Sequence, residues 1–178
     1  DITLEYSPGE KTGEYRIKYP ENGTKKLFLK ALSGSNWKMN DDGSITGTES
    51  FEGMNAFAYG VFDDQGALTK SGKNSWITWP ESGKNQIQFK YGISYISPEQ
   101  AKKNLEQEIP DWNFEKVKNS AKEKWSEVIN QIQVEGGTDA YKRTFYTALY
   151  RSFERMINIT EYGSYYSNYD GKVHADNR

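Results

Sequence analysis

The single histidine, His174, is the residue of this sequence best suited to acid–base chemistry. It lies between Asp170 and Asp176, and either carboxylate could fix the tautomer of the imidazole or share a metal ion with it. A lone histidine near a chain end is more often a solvated surface residue, and no second histidine is available as a metal ligand. His174 is therefore a candidate for substrate binding, whereas spacing assigns no catalytic residue and no metal ligand.

Two pairs of neighbouring carboxylates, Asp41–Asp42 and Asp63–Asp64, have the residue type that glycoside hydrolysis uses. That chemistry needs two carboxyl groups facing each other across a substrate, a separation that a sequence does not show. Both pairs lie close to glycines, where Asp commonly hydrogen-bonds to the local backbone, so a role in turns is favoured. The glutamates of the helical segments are interpreted as solvating residues: Glu99, Glu106, Glu108, Glu123 and Glu127.

The tryptophans are the other side chains that could contact a sugar, because an aromatic face offers a broad apolar platform for C–H groups. Trp76 and Trp79 differ in parity along one predicted strand, so one of them should face solvent and the other the core. The outward one is the better sugar candidate. Trp125 lies on the apolar stripe of a predicted helix and is assigned to the interior, and the remaining two are Trp37 and Trp112.

Composition excludes several classes of function. The 23 basic and 25 acidic residues nearly cancel, and no run of Lys or Arg could track a phosphate backbone, so nucleic acid is not an expected partner. No stretch approaches the ~20 apolar residues of a membrane span, and the mean hydropathy is −0.92. The absence of cysteine excludes disulfides and thiolate catalysis, and we find no phosphate-binding glycine loop and no serine elbow.

Residues 14–97 predict a meander of strands, because short aromatic and β-branched segments alternate there with clusters of Gly, Asn, Asp and Pro. An apolar residue recurs at every second position from Ile87 to Tyr95, as expected of a strand with one buried face. A twisted antiparallel sandwich follows from this pattern. The clearest predicted strands are residues 15–19, 27–32, 57–62, 76–79 and 87–96.

Three helices are predicted after the strands, giving an α+β chain. Ser97 can cap a first helix over residues 98–108. This helix should end before Pro110, because the residue that precedes a proline is disfavoured in the α region. A second helix should run from Asn113 toward the glycines at 136–137, and a third over residues 139–155 with Thr138 as its cap. Strand character returns over residues 160–173. The second helix carries an apolar stripe that should be buried: Phe114, Val117, Ala121, Trp125, Val128, Ile129 and Ile132.

About half of the chain resembles glycoside hydrolase family 92, a bacterial family of α-mannosidases. The matching blocks follow the order of the family: residues 92–97 (GISYIS), 100–105 (QAKKNL), 108–114 (EIPDWNF), Trp125, 134–138 (VEGGT), 145–150 (FYTALY) and 169–174 (YDGKVH). Residues 13–20 are similar only in outline. Residues 51–54 (FEGM) depart from the tryptophan-bearing pattern of the corresponding strand, so the resemblance supports no sugar contact there.

The resemblance implies an amino-terminal β-sandwich joined by helices to a carboxy-terminal (α/α)6 barrel, with the active site between them. It divides this chain into a sandwich (residues 1–97), interdomain helices (98–134) and the start of the helical catalytic domain (135–178). Family members are exo-acting, inverting and calcium-dependent, and their acid, base and calcium ligands come mostly from the barrel. No catalytic residue can therefore be carried over onto this chain, and we expect it to be inactive alone.

Three hypotheses about function follow. In the first, the chain is part of a secreted, periplasmic or cell-surface bacterial α-mannosidase, similar to α-1,2-mannosidases, that acts on mannose-containing glycans. In the second, it is a non-catalytic carbohydrate-binding sandwich, and in the third a scaffold without a ligand.

The start at Asp1, without Met or an apolar leader, leads us to expect a segment removed upstream. A face left uncovered by the missing barrel would be covered by a second copy of the chain, as a homodimer.

Overall fold

The computed structural model describes residues 1–30, 36–51, 53–71, 74–153 and 157–176. Within them, strands predominate in the first half of the chain and the three helices lie in the second, so the predicted α+β class is confirmed. The strands are β1 Thr3–Pro8, β2 Thr12–Lys18, β3 Lys25–Leu29, β4 Lys38–Met39, β5 Ile45–Phe51, β6 Met54–Phe62, β7 Ala67–Ser71, β8 Asn74–Trp79, β9 Gln86–Ser94, β10 Ser164–Ser167 and β11 Lys172–Ala175. The helices are α1 Pro98–Glu108, α2 Phe114–Ile129 and α3 Asp139–Ser152.

Two antiparallel sheets form the sandwich. The large sheet has the order β1-β2-β9-β6-β5-β4 and the small sheet the order β3-β8-β7. The five predicted strands are all present, with shifted ends, and residues 31 and 32 of one of them lie outside the described part. Strands β4, β5 and β7 were not predicted, because their sequences are polar and lack an aromatic alternation. The sheets enclose one core, formed by Ile17, Tyr19, Leu29, Ile45, Ile77, Trp79, Ile87 and Phe89.

Helix α1 covers the outer face of the large sheet, so β9 is buried on both sides. Its odd-numbered residues face the sandwich core, while Lys90, Gly92 and Ser94 are buried on the other side. A Cβ atom at Gly92 would lie 2.2 Å from the Ala101 carbonyl oxygen, so only glycine permits this close approach of helix to strand. Ala101 and Leu105 are fully buried there, beside Tyr59.

The caps of α1 and α3 are those that the sequence predicts. The Ser97 side chain accepts a hydrogen bond from the Gln100 amide at 3.1 Å, and Thr138 does the same for Tyr141 at 3.3 Å. Helix α1 ends at Glu108 before the predicted break, and Asn113 caps α2. The predicted end of α3, at residue 155, lies outside the described residues.

The predicted burial of the α2 stripe is wrong for most of its length. Of the helix, only Phe114 is buried, under the Arg16 guanidinium at 4.4 Å from its ring centre. Val117, Ala121 and Trp125 are half-buried because they line a cavity of about 270 Å³ against the β1–β2 turn. Helix α2 also ends at Ile129, earlier than predicted, and Ile132 beyond it is 47% exposed.

Candidate functional site

The β10–β11 hairpin brings His174 together with an acidic and an aromatic partner. His174 lies directly opposite Tyr165 in the antiparallel register, and the two rings stack with their centroids 5.5 Å apart. Its Nε2 atom lies 2.9 Å from Oδ2 and 3.1 Å from Oδ1 of Asp170. The imidazole is therefore held by a carboxylate on one nitrogen and by an aromatic ring on one face, while its side chain remains 39% exposed.

Asp170 and Asp176 have different roles in this hairpin. The hydrogen bond with His174 lowers the pKa of the Asp170 carboxyl, so this group stays ionised beside the imidazole. Asp176 instead accepts a hydrogen bond from the Thr160 hydroxyl at 2.6 Å and joins the two ends of the hairpin. Of the two carboxylates near His174 in sequence, Asp170 is thus the one that orients the ring.

A buried carboxylate, Glu161, attaches this hairpin to the sandwich. Glu161 is 1% exposed and accepts hydrogen bonds from the Tyr95 amide at 2.8 Å and from the Asn104 side-chain amide at 2.9 Å. Asn104 is itself fully buried in α1 and also donates to the Ile93 carbonyl at 2.9 Å. Sequence reasoning missed Glu161, and the available signal was an asparagine beside Ala101 and Leu105 on the buried side of α1.

Glu108 provides a second attachment, and its predicted solvating role is wrong. Its carboxylate accepts hydrogen bonds from the Glu10 amide at 2.7 Å, the Thr12 hydroxyl at 2.8 Å and the Tyr162 hydroxyl at 2.7 Å. Tyr162 has a φ of 50°, a strained conformation that these contacts hold in place. Burial and the bond to Glu108 both raise the pKa of its hydroxyl. The Lys11 ammonium donates to the Asn158 carbonyl nearby.

The two tryptophans of β8 point in opposite directions, as their parity predicts. Trp79 is 2% exposed in the core and donates its Nε1 hydrogen to the Asp64 carbonyl at 2.9 Å. The prediction that Trp79 could contact a sugar is therefore wrong. Trp76 is half-buried on the outer face of the small sheet, 5.5 Å from the ring of Phe28, which is 46% exposed.

The paired aspartates act in turns, as predicted. Asp42 accepts hydrogen bonds from both the amide and the hydroxyl of Ser44, at 3.0 and 2.5 Å. Asp63 accepts a hydrogen bond from the Gln88 amide at 2.7 Å, which ties the end of β6 to β9.

A metal site was tested in the described part of the chain. No three His, Cys, Asp or Glu side chains come together there in a way that could hold an ion. The described residues therefore contain no cluster of carboxylates that fits the calcium ion implied by the resemblance. None of the described helices has the length and apolar character that a membrane crossing requires.

Comparison with known proteins shows a similarity to one family of glycosyl hydrolases. Residues 100–178 match the model of the glycosyl hydrolase family 92 catalytic domain. Over these residues the chain is similar to that catalytic domain. The matched region begins within α1 and contains α2, α3 and the hairpin of His174, and the resemblance seen in the sequence is confirmed.

Solved structures from family 92 share the fold of the whole chain. A family 92 inverting mannosidase from Bacteroides thetaiotaomicron superposes with a TM-score of 0.88 over 98% of the chain, at 20% identity. The family 92 glycosyl hydrolase ccman5 gives a TM-score of 0.83 over 99%, at 19% identity. This chain spans 28% of the length of either protein. Its sandwich and helices therefore have the family 92 fold.

A fungal relative extends the comparison in sequence. A protein of Arthroderma benhamiae, described as an uncharacterized secreted glycosidase, is 39% identical over 85 residues, which are 46% of this chain. The chain spans 11% of that relative. Most of the relative's length therefore has no counterpart in these 178 residues.

Proposed function

We propose that the chain is part of an exo-acting, inverting α-mannosidase of the α-1,2 type that removes mannose from glycans. The single observation that carries this proposal is the match of residues 100–178 to the family 92 catalytic domain. The likeness in fold to an inverting mannosidase of that family supports it. In this proposal residues 1–97 are the sandwich, 98–134 the interdomain helices and 135–178 the start of the catalytic domain.

In this enzyme, the hairpin would contribute to the substrate site while the acid, the base and the calcium ligands come from outside these residues. When bound, calcium would supply contacts to the sugar hydroxyls. Because Asp170 is ionised, His174 donates its Nε2 hydrogen to this carboxylate, which leaves Nδ1 as the nitrogen that can meet a sugar hydroxyl. Glu161 and Glu108 hold the segment before the hairpin against α1 and the large sheet, so the ring is presented from a fixed support.

Hydrolysis of an aryl α-mannoside tests the assignment. The full-length protein with calcium should release the aryl group with inversion at the anomeric carbon, whereas the 178-residue chain alone should not. In the full-length protein, His174→Ala should raise KM, and Lys172→Ala, an exposed neighbour on β11, serves as the matched control. A full-length protein inactive on every α-mannoside tried, or turnover by the isolated chain, would contradict the proposal.

A carbohydrate-binding sandwich without catalysis is the second candidate, favoured by the outward position of Trp76 beside Phe28. A glycan array separates the two, because a binding module retains mannoside affinity where the full-length protein shows no hydrolysis.

Export of the parent protein to the periplasm, the cell surface or the medium is part of the first proposal, supported by the secreted fungal relative. Fractionation of cells carrying the full-length gene would test it.

A further inference from the structure

The outer face of the small sheet combines aromatic rings with hydroxyl and amide groups. Phe28 on β3, Trp76 on β8 and Thr69 on β7 are directly opposite one another in the register, so they form one row across the three strands. The next rows place Thr78 on one side of this row and Asn74, opposite Ser71, on the other. All of these side chains are exposed or half-buried.

The two rings of the row form one platform. The Phe28 and Trp76 centroids are 5.5 Å apart with an angle of 39° between the planes, and Phe28 is 46% exposed. Thr69 is the cross-strand neighbour of Trp76, and Thr78 lies two residues further along β8 on the same face, so both hydroxyls lie beside the platform. An aromatic surface edged by hydroxyls and an amide matches a pyranose ring, which has an apolar C–H face and a polar rim.

This face is separate from the hairpin of His174. The inward residues of the small sheet, Leu29, Ile77 and Trp79, pack on the inner side of the large sheet. Helix α1, which holds the hairpin through Asn104 and Glu161, covers the opposite side of the large sheet. Two sheets therefore lie between the Trp76 platform and the elements that mount the hairpin.

We propose that the outer face of the small sheet, centred on Trp76 and Phe28, is a second carbohydrate-binding site that holds neutral polysaccharide chains. The three strands carry no carboxylate on this face among their described residues, and the cations beside Phe28 are Lys26 and Lys30, two residues before and after it. Recognition then rests on ring stacking and on hydroxyl contacts, which suit uncharged hexose chains. The site binds without cleaving, and it does not depend on the hydrolysis proposed above.

The test measures binding of the 178-residue chain to soluble α-mannan and to dextran by affinity electrophoresis and by tryptophan fluorescence. The wild-type chain should be retarded by at least one of the two polysaccharides. Trp76→Ala and Phe28→Ala should each weaken the retardation about tenfold, since truncating an aromatic anchor typically costs more than a factor of five. Trp76→Tyr, which keeps an aromatic face, should retain most of it.

Two control variants locate the effect. Lys172→Ala and Trp112→Ala, on the hairpin and on the α1–α2 connection, should bind as the wild type does, and circular dichroism should show every variant folded. The inference is wrong if neither polysaccharide binds, if binding survives Trp76→Ala, or if Lys172→Ala abolishes it. It is also wrong if sedimentation shows a wild-type dimer that Trp76→Ala converts to monomer, because the face would then be a protein interface. Binding at Trp76 in a protein that hydrolyses no mannoside would remove the proposed activity and leave this site intact.

Discussion

Glu14 is a buried carboxylate in the middle of the large sheet. It is 0% exposed, and neither of its oxygens has a hydrogen-bond partner among the described residues. It lies opposite Lys90 on the side covered by α1, but that ammonium is directed to the carbonyls of Ile109 and Pro110 at 2.7 and 3.0 Å. Desolvation raises the pKa of Glu14 and outweighs the attraction of Lys90, which lowers it.

Substituting Glu14 with Gln should therefore stabilise the protein at neutral pH. A raised folded pKa means that the folded state holds the proton more tightly, so the contribution of Glu14 to stability falls as pH rises from its ordinary value of 4.5 through its folded value. Glu14→Gln removes this loss. Urea unfolding of both proteins at several pH values between about 4 and 8 measures it, with exposed Glu21→Gln as control. A difference in stability that does not grow with pH would contradict this account.

Glu161 is expected to set the stability of the hairpin's attachment. Glu161→Ala leaves the Tyr95 amide and one of the two side-chain amide hydrogens of Asn104 without an acceptor, which should cost about 1–3 kcal/mol. Hydrogen exchange of the Tyr95 amide should accelerate by more than global unfolding explains. The control is Glu106→Ala, because Glu106 is exposed on α1, the helix that carries Asn104. Unchanged exchange at Tyr95 would mean that the segment is held by other contacts.

At the scale of elements, α2 is attached at its start and half-covered along the rest. The ring of Trp125 packs against that of Tyr150 of α3 with centroids 4.5 Å apart and planes inclined at 49°, and Trp125 also borders the cavity near the β1–β2 turn. Half-burial and one aromatic pair contribute less than a position in the core. Trp125→Ala should therefore cost about 1–2 kcal/mol, whereas Trp79→Ala in the core should cost about 3–5 kcal/mol.

A double-mutant cycle with Tyr150→Ala should assign about 0.5–1.5 kcal/mol of this to the ring pair. Glu123→Ala, on the charged side of α2, should change the free energy of unfolding little. Equal costs for Trp79→Ala and Trp125→Ala in urea unfolding would mean that α2 is docked as firmly as the core strands.

Most of the elements could be predicted from the sequence because local signals fix them. The Ser97, Asn113 and Thr138 caps and the alternation along β9 are such signals. Burial and attachment were harder to predict, because they depend on contacts between distant residues. Glu161 and Glu108 look solvated in sequence, and only partners 57 and 54 residues away show that they hold the hairpin. The end of α2 was predicted too late because the apolar stripe in the sequence continues past Ile129, where the helix ends.

At the scale of the molecule, apolar side chains accumulate on α3 and around the hairpin. Tyr141 is 74% exposed, Ile157 73% and Tyr169 100%, and Tyr150, Phe153 and Val173 add to the same part of the chain. Surfaces of this kind seldom stay uncovered on a soluble monomer. The isolated chain should therefore self-associate in sedimentation experiments, and Tyr141→Ser with Ile157→Ser should shift it toward monomer. A wild-type monomer at high concentration would contradict this expectation.

The buried ammonium of Lys25 can be used to measure how often the sandwich opens. Lys25 is 0% exposed and donates to the Glu81 and Gly83 carbonyls at 2.8 and 2.6 Å, which closes the turn between β8 and β9. An amine-acylating reagent can reach this nitrogen only after the turn has opened, whereas Lys116, with 64% of its side chain exposed, reacts in the closed state. The ratio of the two acylation rates, followed by mass spectrometry, thus measures how often the small sheet detaches in the native protein.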